Sequence, residues 1–178
     1  GADYDFDPDI ALRDGERFEA AGRTVEAVHT PGHTSNHLCF ALPEDGTFFS
    51  GDHVMGWSTT VVSPPDGDMH AYFASLRKLL DRNETVYWPT HGTAIRKPRR
   101  FVQALIGHRR LREEQIMACL RDGLHTIPAM VARMYAKVPE ELHPAAGQTV
   151  LAHLIHMVET ERVRCDGPPE IGTTFRPA

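Results

Sequence analysis

The spacing of apolar residues changes once along this chain, at Pro98, and that change limits the folds open to it more than any other feature. Before Pro98 the apolar residues come in short runs closed by turn formers. Ile10–Leu12 and Arg17–Glu19 flank Asp14-Gly15, and Thr24–Val28 alternates as a half-buried strand does after the turn at Ala21-Gly22. Leu38–Leu42 and Thr47–Phe49 flank Pro43–Gly46, a hairpin signal, and Val86–Trp88 is one more short buried run. A single helix interrupts these strands. Asp68 is a good N-cap, and Met69, Tyr72, Phe73, Leu76, Leu79 and Leu80 recur at the three- and four-residue spacing of one helical face.

After Pro98 the helical spacing takes over. Val102, Leu105 and Ile106 stay in phase with Ile116, Cys119 and Leu120, which predicts a long helix from Arg99 to Arg121 stopped by Gly123. Thr126 heads a short helix through Met134, with Pro128 in its tolerant first turn. Val150, Leu151, Leu154, Ile155 and Val158 stripe a third helix, and Arg162–Cys165 with Thr173–Phe175 reads as a closing hairpin. Three helices followed by a hairpin is the pattern of a winged helix. The expected architecture is mixed α/β (α+β), divided into residues 1–98 and 99–178.

The bulk numbers exclude some classes. A chain of 178 residues with 41% hydrophobic content can bury the core of one domain or two small ones. A net charge of −5 is not the basic balance of a dedicated nucleic-acid binder. Cys39, Cys119 and Cys165 lie far apart with no CxxC pair, so reduced thiols and a cytoplasmic location are expected. No apolar stretch approaches the roughly 20 residues of a membrane span, so no membrane partner is expected.

Eleven histidines are many for this length, and three polar residues share one context. His33 follows the Thr24–Val28 strand and Thr30-Pro31-Gly32. Asp52 follows Phe48-Phe49 and Ser50-Gly51. His91 follows Val86–Trp88 and Pro89-Thr90, with Gly92 behind it. Each sits past a strand end in a tight loop, and exit loops of one sheet can converge at its edge. Two imidazoles and a carboxylate suit Zn²⁺, with Fe or Mn possible. The plainer reading is three ordinary loop residues, because no HxH pair of close ligands anchors the set.

The stretches "HTPGHT", "FFSGD" and "YWPTHG" resemble, in order, the later metal-binding motifs of the metallo-β-lactamase superfamily. The segment "GWSTTVVSPPDGDMHAYFASLRKLL" and the trailing winged helix narrow the resemblance to the subgroup with a C-terminal winged helix, which includes β-lactamase-like endoribonucleases. The resemblance implies an αββα sandwich and two zinc ions. His33 would complete the first metal site, Asp52 would bridge both and take part in catalysis, and His91 would belong to the second. The family's HxHxDH motif is missing: 32 residues precede His33, and none up to Val28 is a histidine. The chain therefore reads as the C-terminal half of the sandwich plus the winged helix, with weak or absent zinc binding and no turnover by itself.

His37 shares the His33 loop and, with Ser58 and Thr59, is a candidate substrate-binding residue. His29 and His53 read as structural. His153 and His156, three apart on one helix, have a permissible metal spacing but read as a solvated face. "KPRR" at 97–100 and "HRRLR" at 108–112 can follow a phosphate backbone, or form a solvated face whose arginines pair with Glu113 and Glu114. The third helix carries no Lys or Arg before Arg162, which argues against base readout and for packing on the hydrolase half. The expected function is a dinuclear zinc hydrolase of ester, thioester or lactone substrates. The alternatives are a metal-dependent ribonuclease acting on RNA and a non-catalytic winged-helix binding module. Half a sandwich leaves an apolar sheet face bare, so a homodimer through that face is expected.

Overall fold

The computed structural model describes residues 7–178. Five strands form one sheet in the order β1-β2-β3-β4-β5: β1 (Arg17–Ala20), β2 (Arg23–His29), β3 (Leu38–Leu42), β4 (Thr47–Gly51) and β5 (Val86–Pro89). The first four are antiparallel neighbours, whereas β5 runs parallel to β4. A parallel pair needs a crossover, and helix α1 (Met69–Leu80) supplies it. Asp68 caps α1 by accepting a hydrogen bond from the Ala71 amide at 3.0 Å. The expected strand at Ile10–Leu12 does not form: among the described residues the first strand starts at Arg17, and Ile10 is 72% exposed.

Alternation along the strands sorts their side chains onto two faces. Val28, Cys39, Ala41, Phe48 and Tyr87 point into the core, where Tyr72, Phe73, Leu76 and Leu79 of α1 cover them. Among the described residues the opposite face, which carries Ala27, Phe40, Phe49 and Trp88, leaves large side chains exposed. The register aligns Phe40 with Phe49 and Phe49 with Trp88, a row of aromatics across three strands. Phe49 is 45% exposed and Trp88 47%.

The second half comprises α2 (Pro98–Arg121), α3 (Ile127–Met134), α4 (His143–Glu159) and the hairpin β6 (Val163–Cys165) and β7 (Phe175–Pro177). This is the winged-helix arrangement. The change in sequence character at Pro98 is not a break in packing. Val102, Leu105 and Ile106 of α2 belong to the sheet core, while Ile116, Cys119 and Leu120 belong to the helical core with Ile127, Met130, Leu154 and Phe175. Helix α4 lies against α1: Ala152 joins the sheet core, and the His156 ring is 5.1 Å from that of Phe73. The helix that a winged helix would offer to a major groove is thus packed against its neighbour. Among the described residues no helix is long and apolar enough to cross a membrane.

Two expectations for the helical half are overturned. His153 is fully buried rather than solvated, and His156 is mostly covered. Both face Glu113 across the α2–α4 contact, at 3.5 Å and 2.7 Å. Glu113 is itself buried and pairs with Arg162 and His156, not with the arginines before it on its own helix. Burial pushes the Glu113 carboxyl up, but the hydrogen bonds from His156 and Arg162 with the adjacent His153 outweigh it and hold it well below the ordinary 4.5. Nor is the 108–112 stretch wholly solvated, because Arg109 is buried.

Candidate active site

The loops after β2, β4 and β5 leave the same edge of the sheet, and glycines at their tips let the chains approach closely. Gly32, Gly51 and Gly92 adjoin His33, Asp52 and His91, with φ of 135°, 53° and 98°. Each also fills a space too small for a side chain. A Cβ would lie 2.4 Å from the Tyr72 backbone at Gly32, 2.7 Å from His37 Nε2 at Gly51, and 2.7 Å from the Gly56 backbone at Gly92. Close approach, more than flexibility, is what these positions demand.

The structure brings the three expected residues together. His33 Nε2 is 3.8 Å from Asp52 Oδ2, and His91 Nε2 is 3.7 Å from Asp52 Oδ1. Each imidazole thus addresses a different oxygen of one carboxylate. The spacings are too long for hydrogen bonds. They are close to the roughly 3.4 Å that separates two ligands of one tetrahedral ion with bonds near 2.1 Å. The trio does not enclose an ion by itself: among the described residues no group of three or more His, Cys, Asp or Glu side chains is gathered tightly enough.

The protonation pattern suits a cation. His33 Nδ1 lies 2.7 Å from the Val61 carbonyl, which can only accept, so Nδ1 carries the proton. In the neutral ring Nε2 then turns a lone pair toward the Asp52 carboxylate. Asp52 Oδ1 is buried with no hydrogen-bond partner. Lone pairs facing one another, beside an orphaned carboxylate oxygen, are electrostatically unfavourable unless positive charge sits between them. The donor set therefore fits a divalent metal.

His37 lies behind this site. Its Nε2 accepts the Asp52 backbone N–H at 3.1 Å, so Nδ1 bears the proton and donates to Thr30 Oγ1 at 2.9 Å. Thr30 in turn contacts Cys39 Sγ at 3.1 Å, and that thiol donates to the Ser50 carbonyl at 3.3 Å. Burial, and next the charge of His33, lower the His37 pKa to about 4, so it stays a neutral acceptor. Both ring nitrogens are engaged within the protein. His53 is also buried, its ring centroid 5.0 Å from that of Tyr72, and burial lowers its pKa to about 3. His29 Nε2 sits on the Ser35 carbonyl, away from the trio.

Of the loop residues expected near substrate, Ser58 is exposed and Thr59 partly so. Thr60, their neighbour, is buried, and its hydroxyl lies 2.7 Å from the Asp52 carbonyl and 2.9 Å from that of His53. The guanidinium of Arg109 on α2 donates to the Thr60 carbonyl and stacks 5.2 Å from the Tyr72 ring. The helical half thus grips the loop that carries Asp52. Trp57, 75% exposed with its ring 6.2 Å from His91, is a further residue beside the site. Sequence reasoning missed Arg109 and Trp57. One signal pointed to the first: position 109 falls in the helical phase of Val102, Leu105, Ile106 and Ile116.

Residues 1–91 match the sequence profile described as metallo-beta-lactamase superfamily. The chain belongs to the metallo-β-lactamase superfamily. Residues 126–168 of this superfamily member match a second profile, the beta-lactamase associated winged helix domain. The lactamase-like protein adaB of Aspergillus niger is 32% identical over 183 residues, covering 93% of this chain and 56% of that protein. A protein of Aspergillus fumigatus named atrochrysone carboxyl ACP thioesterase is 38% identical over 122 residues, covering 67% and 38%. A metallo-β-lactamase family protein from Thermus thermophilus superposes with a TM-score of 0.83 at 27% identity, covering 97% of this chain and 55% of that one. The chain spans about half the length of the curated relatives it matches.

Proposed function

We propose that this chain is the C-terminal portion of a dinuclear zinc hydrolase that cleaves an ester, thioester or lactone, and that by itself it does not turn over. The observation that carries the reading is the pair of imidazole nitrogens at 3.8 and 3.7 Å from opposite oxygens of Asp52. His33 would serve one metal, His91 the other, and Asp52 would bridge. A bound metal pair supplies Lewis-acid polarisation of the scissile carbonyl and a nucleophile near neutral pH.

The chain's own groups do the positioning. The Val61 carbonyl fixes the His33 tautomer so that Nε2 faces the site. His37 holds the Asp52 backbone, and Thr60 with Arg109 holds the loop from the other side. Trp57, exposed with its ring 6.2 Å from that of His91, and Thr59 of the same loop would contact the acyl group. The name of the Aspergillus fumigatus relative favours a thioester among the acyl substrates. Three donors shared between two ions fall short of the three protein ligands that each catalytic zinc usually has. Calorimetric titration of this chain with Zn²⁺ should therefore show binding weaker than micromolar, and tighter binding would contradict inactivity by shortage of ligands. In the full-length hydrolase, Asp52→Ala should abolish turnover without unfolding the protein, and retained turnover would refute the bridging role.

A further inference from the structure

Beside the His91 loop lies a cavity of about 450 Å³ whose lining includes Gly56, Ile95, Arg96, Lys97, Arg100 and Phe101. It adjoins the candidate site directly. The Gly56 amide donates to the His91 carbonyl at 2.8 Å, and Thr93, two residues past His91, lines the same cavity. Its apolar part is Ile95 and Phe101, both packed on the sheet core. Its charged part carries one sign only.

That sign is unusual for this chain. The molecule is acidic overall, yet residues 85–112 contain no Asp or Glu and seven Lys or Arg. Arg96, Lys97, Arg99 and Arg100 are exposed, and none takes part in the ion pairs found among the described residues. Arg99 and Arg100 also stand in the first turn of α2, which has no acidic residue, and Lys97 at its N-cap makes no side-chain capping bond. Cations at the positive end of a helix dipole repel it and each other. An anion bound between them removes that cost.

We propose that this cavity binds the phosphorylated arm of an acyl thioester, with Arg96, Lys97 and Arg100 holding the phosphate and Ile95 with Phe101 forming the apolar lining along the arm. The inference rests on the thioester reading of the neighbouring site and names the part of the substrate that lies outside it. A thioester arm joins an anion to a flexible, mostly neutral chain, which matches a cationic rim beside an apolar floor. Single-stranded RNA fits less well. Its recognition uses exposed aromatic faces for base stacking, and the one aromatic of this cavity is partly buried in the core.

The test is calorimetry on this chain with coenzyme A, with pantetheine, which lacks the phosphates, and with a short single-stranded RNA. Coenzyme A should bind, pantetheine at least tenfold more weakly, and added salt should weaken the first and not the second. The triple variant R96E/K97E/R100E should lose at least tenfold in coenzyme A affinity with unchanged circular dichroism and melting temperature, since all three side chains are exposed. Equal binding of coenzyme A and pantetheine, no binding of coenzyme A, or an unaffected triple variant overturns the inference. So does RNA binding through the same cations in place of coenzyme A. In the full-length hydrolase the triple variant should raise KM for an acyl-coenzyme A and leave kcat in place. If coenzyme A binds this way but no thioester is hydrolysed, the cavity stands and the catalytic reading fails. If hydrolysis proceeds with KM unmoved, the catalytic reading stands and the cavity assignment fails.

Discussion

Replacing Gly32 by alanine puts a methyl group 2.4 Å from Tyr72 Cα, 2.5 Å from its Cβ and 2.6 Å from its backbone nitrogen. Carbon atoms in contact prefer about 3.5–4.0 Å, so the methyl overlaps both carbons by about 1 Å or more and crowds the nitrogen as well. Two of them are backbone, and neither partner can retreat cheaply. Tyr72 is fully buried, its amide donates to the Asp68 carbonyl at 2.9 Å, and the Asp68 amide donates to the Gly32 carbonyl at 2.9 Å. A φ of 135° adds about 1–3 kcal/mol for any residue with a Cβ. Overpacking in a well-filled site adds about 1–3 kcal/mol more. The expected loss is about 2–6 kcal/mol, which at an m-value near 2 kcal/mol/M lowers the urea midpoint by about 1–3 M. Gly15→Ala is the matched control. Its φ of 76° is also left-handed, but its Cβ would meet nothing within 4 Å, so only the conformational cost of about 1–2 kcal/mol applies. Urea unfolding followed by circular dichroism reads both variants. If the Gly32→Ala midpoint falls no further than that of Gly15→Ala, the tight seat of the His33 loop on α1 is not what holds it.

Three further outcomes follow from the packing. Glu113 has its folded pKa depressed, so its stabilising share is present above its ordinary 4.5 and is lost as pH falls through the folded value; Glu113→Gln should destabilise the protein at pH 7, and the gap in urea midpoint should close as pH is lowered from 5 toward 2. A gap that stays constant over that range would assign the loss to packing alone. Arg109→Met should speed amide exchange across residues 52–62 more than in β3, with Arg109→Lys restoring part of the protection, whereas uniform acceleration would mean that Arg109 only stabilises the whole fold. The row formed by Phe40, Phe49 and Trp88 should drive self-association of this chain, and Trp88→Glu should give a monomer in light scattering; a wild-type monomer at about 100 µM, a concentration that reveals even weak interfaces, would refute it.

What could be read from the sequence was whatever repeats at short range. Met69, Tyr72, Leu76 and Leu79 announce α1 because a buried helical face imposes its own period, and Pro43–Gly46 announces its hairpin because turn chemistry is local. The loops of His33, Asp52 and His91 were conspicuous because glycine and proline mark the places where backbones must nearly touch. The Glu113 cluster was not legible. Its partners His153, His156 and Arg162 lie 40 or more positions away, and each looks like surface in its own segment. Arg109 was masked by its surroundings: in "HRRLR" four of five residues are basic, and only the helical phase set by Val102, Ile106 and Ile116 marks position 109 as the one that turns inward. Ile10–Leu12 failed in the opposite direction, since an apolar triplet becomes a strand only where a neighbour offers its backbone.

Helix α2 enters two cores, with Val102 in one and Ile116 in the other. At 24 residues it is a strut of about 36 Å by helical rise, unbroken from the sheet to the wing. A strut of that kind forbids a hinge. Opening the two halves about a hinge within it would have to melt the helix at its centre, between Ile106 and Ile116. For the same reason the wing cannot be traded between homologues as a cassette cut at Pro98, because the first three turns of its leading helix belong to the other half's interior.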